Sequence, residues 1–381
     1  RKLRPDLLQG LASLSQRLKS QPELVQRVKA KYAIKNTTGY GLRSLLDFDD
    51  PIDMLSHIMI GSEGTLGFIS DITHNTINKK PFKASAFLVF PNIAIAGKAV
   101  TRFKRNATPV TAAEMIDYYA LKSVAHMEGV PDYIKAVPHG TVAILVQAEN
   151  DSIQGLEQDI DAIKTEIIDL PTVVPSMFTD DPTEYAAYWN VRKGIFPAVG
   201  ANRPKGTTTL IEDVAFPIDS LSSALVDLQN LMQAFDYDDG VIYGHALDGN
   251  LHFIFSQGFQ TAEDIARYES FMEAVCELVV AKYDGSLKAE HGTGRNMAPF
   301  VRSEWGDEAY DIMLKIKALF DPKRILNPDV MITDDPKLYT KNIKPMPVVS
   351  DIVDQCIECG FCEPVCPSEG LTLSPRQRIV I

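Results

Sequence analysis

The 381-residue sequence lacks the features that mark several large classes of protein. No apolar run approaches the roughly 20 residues that a helix needs to cross a bilayer, and no secretory hydrophobic segment lies near the start. No cluster of lysine and arginine stands out in a chain whose net charge is −12, so nucleic acid is not an expected partner. We therefore predict a protein without a transmembrane segment, and peripheral association with a membrane remains open. The clustered cysteines near the C-terminus indicate a reducing compartment and favour the cytoplasm.

Cysteine is also scarce, and four of the five cysteines fall within eleven residues near the C-terminus. A secreted disulfide scaffold would spread them along the chain, whereas clustering indicates metal ligation in a reducing compartment. The spacing C-x2-C-x2-C-x3-C-P is that of a bacterial [4Fe–4S] ferredoxin, with ligands Cys356, Cys359, Cys362 and Cys366. The alternatives are a zinc site, which would favour two separated CxxC pairs, and coincidence. The fifth, Cys276, is expected to be an inert core thiol.

The rest of the chain alternates between helical and strand-like stretches, and its length suits two or three domains. Amphipathic helices are expected in residues 1–31, and a Pro- and Asp-rich linker in 331–350. The expected fold is α+β, with returning hairpins and helices on one face of the sheet. Strands are predicted at 85–90, 141–149, 207–216 and, as a hairpin, 240–255; helices are predicted at 93–106, 153–167, 219–235, 262–282 and 307–320.

The hairpin sequence GHALDGNLHF (244–253) contains two histidines around an Asp-Gly pair. If Asp248 and Gly249 form a two-residue type I′ turn, His245 lies directly opposite His252. Their imidazoles would then lie close enough on one face to share a divalent metal ion. The alternative reading of each histidine is a hydrogen-bonded structural residue.

A second motif, GSLKAEHGTGR (285–295), places adjacent Glu290 and His291 between glycines that permit close approach to a flat ligand. Glu290 is a candidate third metal ligand, and His291 is a candidate general base. The motif taken alone is weak, because Glu-His pairs also occur by chance in loops.

Two further stretches are candidate binding elements. GSEGTLG (61–67) is a glycine-rich loop without the GxGxxG or GK[ST] spacing of nucleotide-binding motifs, so it is either a flavin- or phosphate-binding loop or a plain turn. WNVRKG (189–194) places Arg192 on a helix, where it could clamp a carboxylate at two points or remain solvated.

Together these motifs resemble the FAD-linked oxidases of the vanillyl-alcohol-oxidase type. The resemblance is closest to the bacterial D-lactate and D-2-hydroxyglutarate dehydrogenases that carry a fused iron–sulfur unit. It extends to KNTTGYGLR (35–43) and DPKRILNPD (321–329). It implies the C-terminal part of a two-part FAD-binding domain (1–80), a ferredoxin-like antiparallel-sheet substrate cap (81–330), a linker (331–350) and the start of an α-helical iron–sulfur domain (351–381).

The resemblance also implies roles for individual residues. The metal ligands (Zn, Mn or Fe) would be His245, His252 and Glu290, the base His291, the substrate-carboxylate residue Arg192, and the FAD contacts Gly61, Ser62, Gly64, Thr65, Gly67 and Asn327. Leu247 stands where the family more often has glycine. The family's upstream pyrophosphate loop is missing, so we expect an internal fragment that is inactive alone.

The implied activity is oxidation of a small anionic D-2-hydroxy acid, D-lactate or D-2-hydroxyglutarate, with hydride passing to FAD. Electrons would continue to the iron–sulfur centre and to a quinone or an electron-transfer protein. Two alternatives remain, namely a flavin oxidase that uses O2 and a non-catalytic electron-transfer or metal-binding module.

Overall fold

The computed structural model describes residues 4–344 and 347–381. The first three residues of the predicted helical region and residues 345–346 of the predicted linker lie outside this range. Within the described residues the chain forms one six-stranded sheet, in the order β1-β3-β2-β5-β6-β4. The strands are β1 (Phe82–Phe90), β2 (Ala112–Ile116), β3 (Val142–Asn150), β4 (Thr208–Ala215), β5 (Val241–His245) and β6 (Asn250–Gln257).

Every neighbouring pair of strands in this sheet is antiparallel. The predicted antiparallel sheet in an α+β fold is therefore confirmed. The sequence reading missed β2, a five-residue strand that pairs with β3 on one side and β5 on the other. Its run AAEMI lacks the strict alternation of apolar and polar residues that marks a half-buried strand.

The described residues also form fifteen α-helices. They are α1 (Pro5–Lys19), α2 (Pro22–Lys31), α3 (Ser44–Asp47), α4 (Pro51–Ile58), α5 (Ile93–Arg105), α6 (Tyr118–Val124), α7 (Asp132–Lys135), α8 (Ile153–Glu166), α9 (Pro182–Ala201), α10 (Leu221–Ala234), α11 (Ala262–Cys276), α12 (Gly294–Met297), α13 (Val301–Trp305), α14 (Asp307–Phe320) and α15 (Pro375–Val380). None of the helices in the described ranges is both long and apolar enough to span a membrane.

The helices cover both faces of the sheet, so the prediction of helices on one face was wrong. Alternate residues of β1 point to opposite sides, with Ala86 and Leu88 in the core under α5, α8, α10 and α11. Phe87 and Val89 belong to a second core with α6, α7 and α9. A sheet buried on both faces needs continuous apolar strands rather than alternating ones. The runs FLVF and AILV in β1 and β3 carried that signal.

A third core joins the N-terminal helices to residues 301–332. Apolar side chains of α1, α2 and α4 pack with those of α13 and α14 and with Met331 and Ile332. The stretch predicted to be a linker is packed in part, since Tyr339 is buried against the core under α5 and α11. Residues 301–332 therefore pack with the N-terminal helices, and the predicted division into domains stays a prediction.

A buried ionic network fastens α2 to α13 and to the segment 285–287. Lys31 on α2 is 1% exposed and donates to the carbonyl of Gly285, with its Nζ 3.8 Å from the fully buried carboxylate of Glu304. The same carboxylate accepts hydrogen bonds from Asn36 and from the N–H of Leu287. Burial raises the pKa of Glu304, so its charge depends on these partners.

Replacing Lys31 with methionine should therefore destabilise the fold by about 3 kcal/mol, because a buried carboxylate would lose its only cation within 4 Å in the described structure. Urea unfolding followed by circular dichroism measures the change. Lys29→Met, at an exposed position on the same helix, is the control and should stay within about 0.5 kcal/mol of the parent. Equal stability of the two variants would contradict the role given to Lys31.

Candidate active site

The two histidines of the hairpin lie on the same face of the sheet, but not in the predicted register. Tyr243, not His245, pairs with His252. Residues Ala246–Asp248 form a 3-10 turn that closes through a hydrogen bond from the N–H of Gly249, whose φ is +66°. The predicted two-residue type I′ turn was therefore wrong, because that turn needs a left-handed conformation at Asp248 as well. The two imidazole centroids are still 5.4 Å apart.

The register places a row of polar residues across four strands on the face covered by α9. Glu114 on β2 pairs with His245 on β5, and Asp213 on β4 pairs with His252 on β6. Tyr243, opposite His252, connects the two pairs. A sheet side chain has its closest neighbours directly across the ladder, so the sheet itself sets the spacing of these groups.

Glu290 reaches this row from the loop after the π-helical segment Glu277–Lys282. Its Oε1 lies 3.0 Å from His245 Nε2 and 3.4 Å from His252 Nε2. One ligand atom from each of the three residues lies within 4.8 Å of the others. The structure thus brings together the three residues that the sequence predicted as metal ligands.

The outer contacts of the two imidazoles fit a metal site. His245 Nδ1 lies 2.5 Å from Glu114 Oε1, and His252 Nδ1 lies 3.3 Å from Asp213 Oδ1. A carboxylate on the far nitrogen is the usual support for a histidine that ligates through the other nitrogen. The hydrogen bond with Glu114 is the main cause of a raised pKa at His245. His252 Nδ1 is buried and is not aligned for a full hydrogen bond in the described structure.

Asp213 is fully buried and holds the Glu290 loop in place. Its Oδ2 accepts the N–H groups of Glu290 and His291 at 2.6 and 2.8 Å, and its Oδ1 accepts from Asn250 at 2.6 Å. Burial opposes its charge, but the contact with His252 and the two backbone donors outweigh it and lower the pKa of Asp213. The sequence reading treated Asp213 only as part of a strand; an acidic pair inside the apolar stretch LIEDVAF was the available signal.

His291 lies beside the three candidate ligands rather than among them. Its ring stacks on His252 with centroids 4.7 Å apart and planes 4° apart. Its Nε2 is 3.9 Å from Glu290 Oε1, and burial lowers its pKa. His291 also borders a cleft of about 640 Å³. A second group of ligand atoms, from Asp213, His252 and His291, is also within 4.8 Å. We favour the first group because Asp213 already accepts two backbone hydrogen bonds.

Arg192 lies next to this cluster, on α9. Its Nε donates to Glu114 Oε2 at 2.8 Å, and its guanidinium carbon lies 4.4 Å from the centre of the Tyr243 ring. In the described structure Arg192 donates a hydrogen bond only through its Nε. Both of its Nη groups are therefore available to a ligand. Burial opposes the charge of Glu114, but His245 and Arg192 together lower its pKa. Glu114 was missed because its strand was missed.

Lys35 is a further residue that the sequence reading did not single out, although it opens the motif KNTTGYGLR. Its Nζ lies 3.0 Å from Glu290 Oε2 and 3.1 Å from Asp248 Oδ2. Lys35 therefore ties the candidate ligand Glu290 to the hairpin turn. It also balances part of the negative charge that three nearby carboxylates bring to the cluster.

The glycine-rich loop lies near the same cluster. Asn327 donates to the carbonyl of Glu63 at 2.8 Å, and the Glu63 carboxylate accepts the N–H of Gly294 at 3.1 Å. Ser62 and Thr65 are buried and bond to backbone carbonyls of the loop region. Their side chains therefore stabilise the loop rather than face a ligand.

The backbone of this loop has room for a flat cofactor. A Cβ added at Gly61 or Gly64 would meet no atom within 4 Å, and both glycines are exposed. Open backbone at this position fits a flavin, whose plane could approach without meeting side chains. At Gly67, by contrast, an added Cβ would lie 3.0 Å from Met59 Cε.

The four clustered cysteines lie in turns near the C-terminus. Cys359 and Cys362 are exposed, and Cys356 and Cys366 are partly exposed. The N–H of Glu358 donates to Cys356 Sγ at 3.4 Å, and contact with Ser368 lowers the pKa of Cys366. Such donors favour thiolates, the form that binds iron. The iron–sulfur centre itself stays a prediction.

The domain is thus an antiparallel sheet covered by helices on both faces, with histidines and carboxylates gathered on one face. The family described as "FAD linked oxidases, C-terminal domain" matches residues 79–331. The chain belongs to this family of flavin-dependent oxidoreductases. The predicted membership in the FAD-linked oxidases is thereby confirmed, and the branch with a fused iron–sulfur unit stays a prediction.

Curated relatives are similar at a low level of identity. The glycolate oxidase subunit GlcD of Bacillus subtilis is 26% identical over 283 residues, 74% of this chain and 57% of that protein. The mitochondrial D-lactate dehydrogenase [cytochrome] 1 of Saccharomyces cerevisiae is 26% identical over 74% of this chain and 47% of its own. The mitochondrial D-2-hydroxyglutarate dehydrogenase of Arabidopsis thaliana is 27% identical over 77% and 48%. The chain spans about half the length of the curated relatives it matches.

The hold of Asp213 on the Glu290 loop can be tested without any ligand. Asp213→Ala removes the acceptor of two backbone N–H groups, and each bond to a charged acceptor contributes about 2 kcal/mol. Hydrogen exchange at Glu290 and His291 should therefore accelerate by at least about tenfold. Asp219→Ala, which breaks an exposed pair with Arg105, should leave these amides unchanged. Unaltered exchange in Asp213→Ala would contradict the anchoring role.

Proposed function

We propose that the protein is an FAD-linked dehydrogenase that oxidises a D-2-hydroxy acid to the 2-oxo acid. The observation that carries the proposal is the bridge formed by Glu114, which contacts Arg192 with one oxygen and His245 with the other. It places a guanidinium next to the candidate metal ligands. A 2-hydroxy acid carries its carboxylate and its hydroxyl on adjacent carbons, so the two sites suit the two groups of one small substrate.

Within this proposal each residue has a defined task. Arg192 binds the carboxylate through its two Nη groups, a planar two-point contact. His245, His252 and Glu290 hold one divalent ion (Zn, Mn or Fe), which when bound supplies Lewis acidity at the hydroxyl oxygen. His291 accepts the hydroxyl proton, and its lowered pKa keeps the ring neutral for that task.

FAD, held at the Gly61–Gly67 loop and near Asn327, supplies the acceptor for the hydride from C2. Cys356, Cys359, Cys362 and Cys366 would hold a [4Fe–4S] cluster, which supplies one-electron transfer. A quinone or an electron-transfer protein is the proposed final acceptor. The substrates named for the relatives, glycolate, D-lactate and D-2-hydroxyglutarate, are all 2-hydroxy acids and form the panel to test.

The ligand and base roles can be separated by two alanine variants of the holoenzyme. His252→Ala should lose metal and activity together, because one of three ligands is gone. His291→Ala should keep its metal while flavin reduction slows by roughly 10²–10⁴-fold, the usual contribution of a general base. Elemental analysis and single-turnover flavin reduction measure the two properties. Metal loss in His291→Ala with retention in His252→Ala would reverse the assignment.

Arg192→Lys tests recognition of the carboxylate. A point ammonium cannot reproduce the planar contact, so KM should rise markedly while metal content stays at the parent level. Lys193→Met, an exposed neighbour on the same helix, is the control and should leave KM unchanged. Unchanged KM in Arg192→Lys would remove Arg192 from the binding site.

The oxidase alternative is tested by the fate of the electrons. A dehydrogenase should reduce an artificial acceptor and form little hydrogen peroxide in air. Stoichiometric peroxide together with an absent cluster signal in electron paramagnetic resonance would favour the oxidase instead.

A further inference from the structure

The segment that carries the cysteines is packed against the end of α9. One ion pair joins Lys205, just after α9, to Asp351, and a second pair, Lys344 with Glu358, lies within the C-terminal segment itself. Both pairs are exposed and contribute little. The contact therefore depends on two more buried interactions.

The first interaction is a cage of carbonyls around Arg203. Its guanidinium donates to the carbonyls of Gly200 and Thr207, at 2.9 Å each, and to that of Cys356 at 3.0 Å. Arg203 is partly buried, and these three carbonyls replace part of the water that would otherwise hydrate its guanidinium. One side chain thus ties the last turn of α9, the start of β4 and the first of the four clustered cysteines together.

The second interaction is a close fit between Gly200 and Ile357. A Cβ placed on Gly200 would lie 2.4 Å from Ile357 Cδ1 and 2.8 Å from its Cγ2. Gly200 is buried although the residue after it, Ala201, is exposed. The absence of a side chain at Gly200 is what lets Ile357 seat against the helix.

This contact places the cysteine loop at the cleft that His291 borders. The cleft of about 640 Å³ is lined by His291 and Gly292 and also by Ile357 and Glu358. Arg203 also borders it. The segment next to Cys356 and the proposed base therefore face a common space.

We propose that Arg203 is a positioning residue that docks the Cys356–Glu358 loop as a fixed wall of this cleft, and so keeps a cluster held by Cys356 at a fixed distance from the active site. This inference rests on the proposed function. When bound, the flavin would hold the two electrons taken from the substrate, and a cluster at the four cysteines would supply one-electron transfer to the quinone or protein acceptor.

Two variants break the docking in different ways. Arg203→Met removes the hydrogen bond to Cys356, and Gly200→Leu fills the space that Ile357 occupies. Ala201→Leu, one residue along the same helix turn, is the matched control. In both docking variants hydrogen exchange of residues 356–359 should accelerate by roughly tenfold, and in the control it should not change.

The kinetic readout separates positioning from a merely structural role. Flavin reduction by the hydroxy acid, and the KM for it, should remain at the parent level in both docking variants. Electron transfer from flavin to the cluster, followed by freeze-quench electron paramagnetic resonance, should slow. Arg203→Lys, which can still reach one carbonyl, should recover part of that rate.

Unchanged exchange in both docking variants would overturn the docking. Faster exchange with an unchanged rate of cluster reduction would overturn the positioning role. A wild-type protein that binds neither flavin nor cluster would instead refute the proposed function, and the exchange measurements would still decide whether the loop is docked.

Discussion

The buried carboxylate of Asp213 is the interaction on which the candidate site depends. It lies on β4, contacts His252 across the ladder on β6, and accepts the backbone N–H groups of Glu290 and His291. These residues come from three separate stretches of the sequence. A buried charge is stable only when its donors are in place. Folding of the sheet and closure of the Glu290 loop are therefore coupled, and the candidate ligands are brought together by the fold before any ion binds.

A second carboxylate, that of Glu114, connects the candidate metal ligands to the proposed substrate-binding residue. Glu114 contacts His245 and Arg192, so the residue proposed to bind the carboxylate and a proposed metal ligand share one partner. Lys35 is likewise a shared partner, because it pairs with both Glu290 and Asp248 of the hairpin turn. Orientation of ligands by surrounding hydrogen bonds is a general property of metal sites. Arg192 lies on α9, so the position of α9 over this face of the sheet brings the guanidinium to Glu114.

The candidate metal ligands and the candidate base could be predicted from the sequence, whereas the residues that orient them could not. His245, His252, Glu290 and His291 were found because they stand in short motifs whose spacing is visible along the chain. The hairpin register was wrong, yet both histidines came out on one face, since moving the pairing by two residues preserves the side of a strand. Asp213, Glu114 and Lys35 were missed because their partners are far away in sequence, and only strand pairing shows which residues meet. The helices on the second face were missed because continuous apolar strands were not read as a sheet buried on both sides.

The central claim is that His245, His252 and Glu290 bind one divalent metal ion. The most direct measurement is anomalous X-ray diffraction at the metal edge from crystals of the holoenzyme loaded with zinc or manganese. The account predicts a single peak bound by His245 Nε2, His252 Nε2 and a Glu290 oxygen, with His291 outside ligand distance. A peak centred on Asp213, His252 and His291, or no peak at this hairpin, would contradict it.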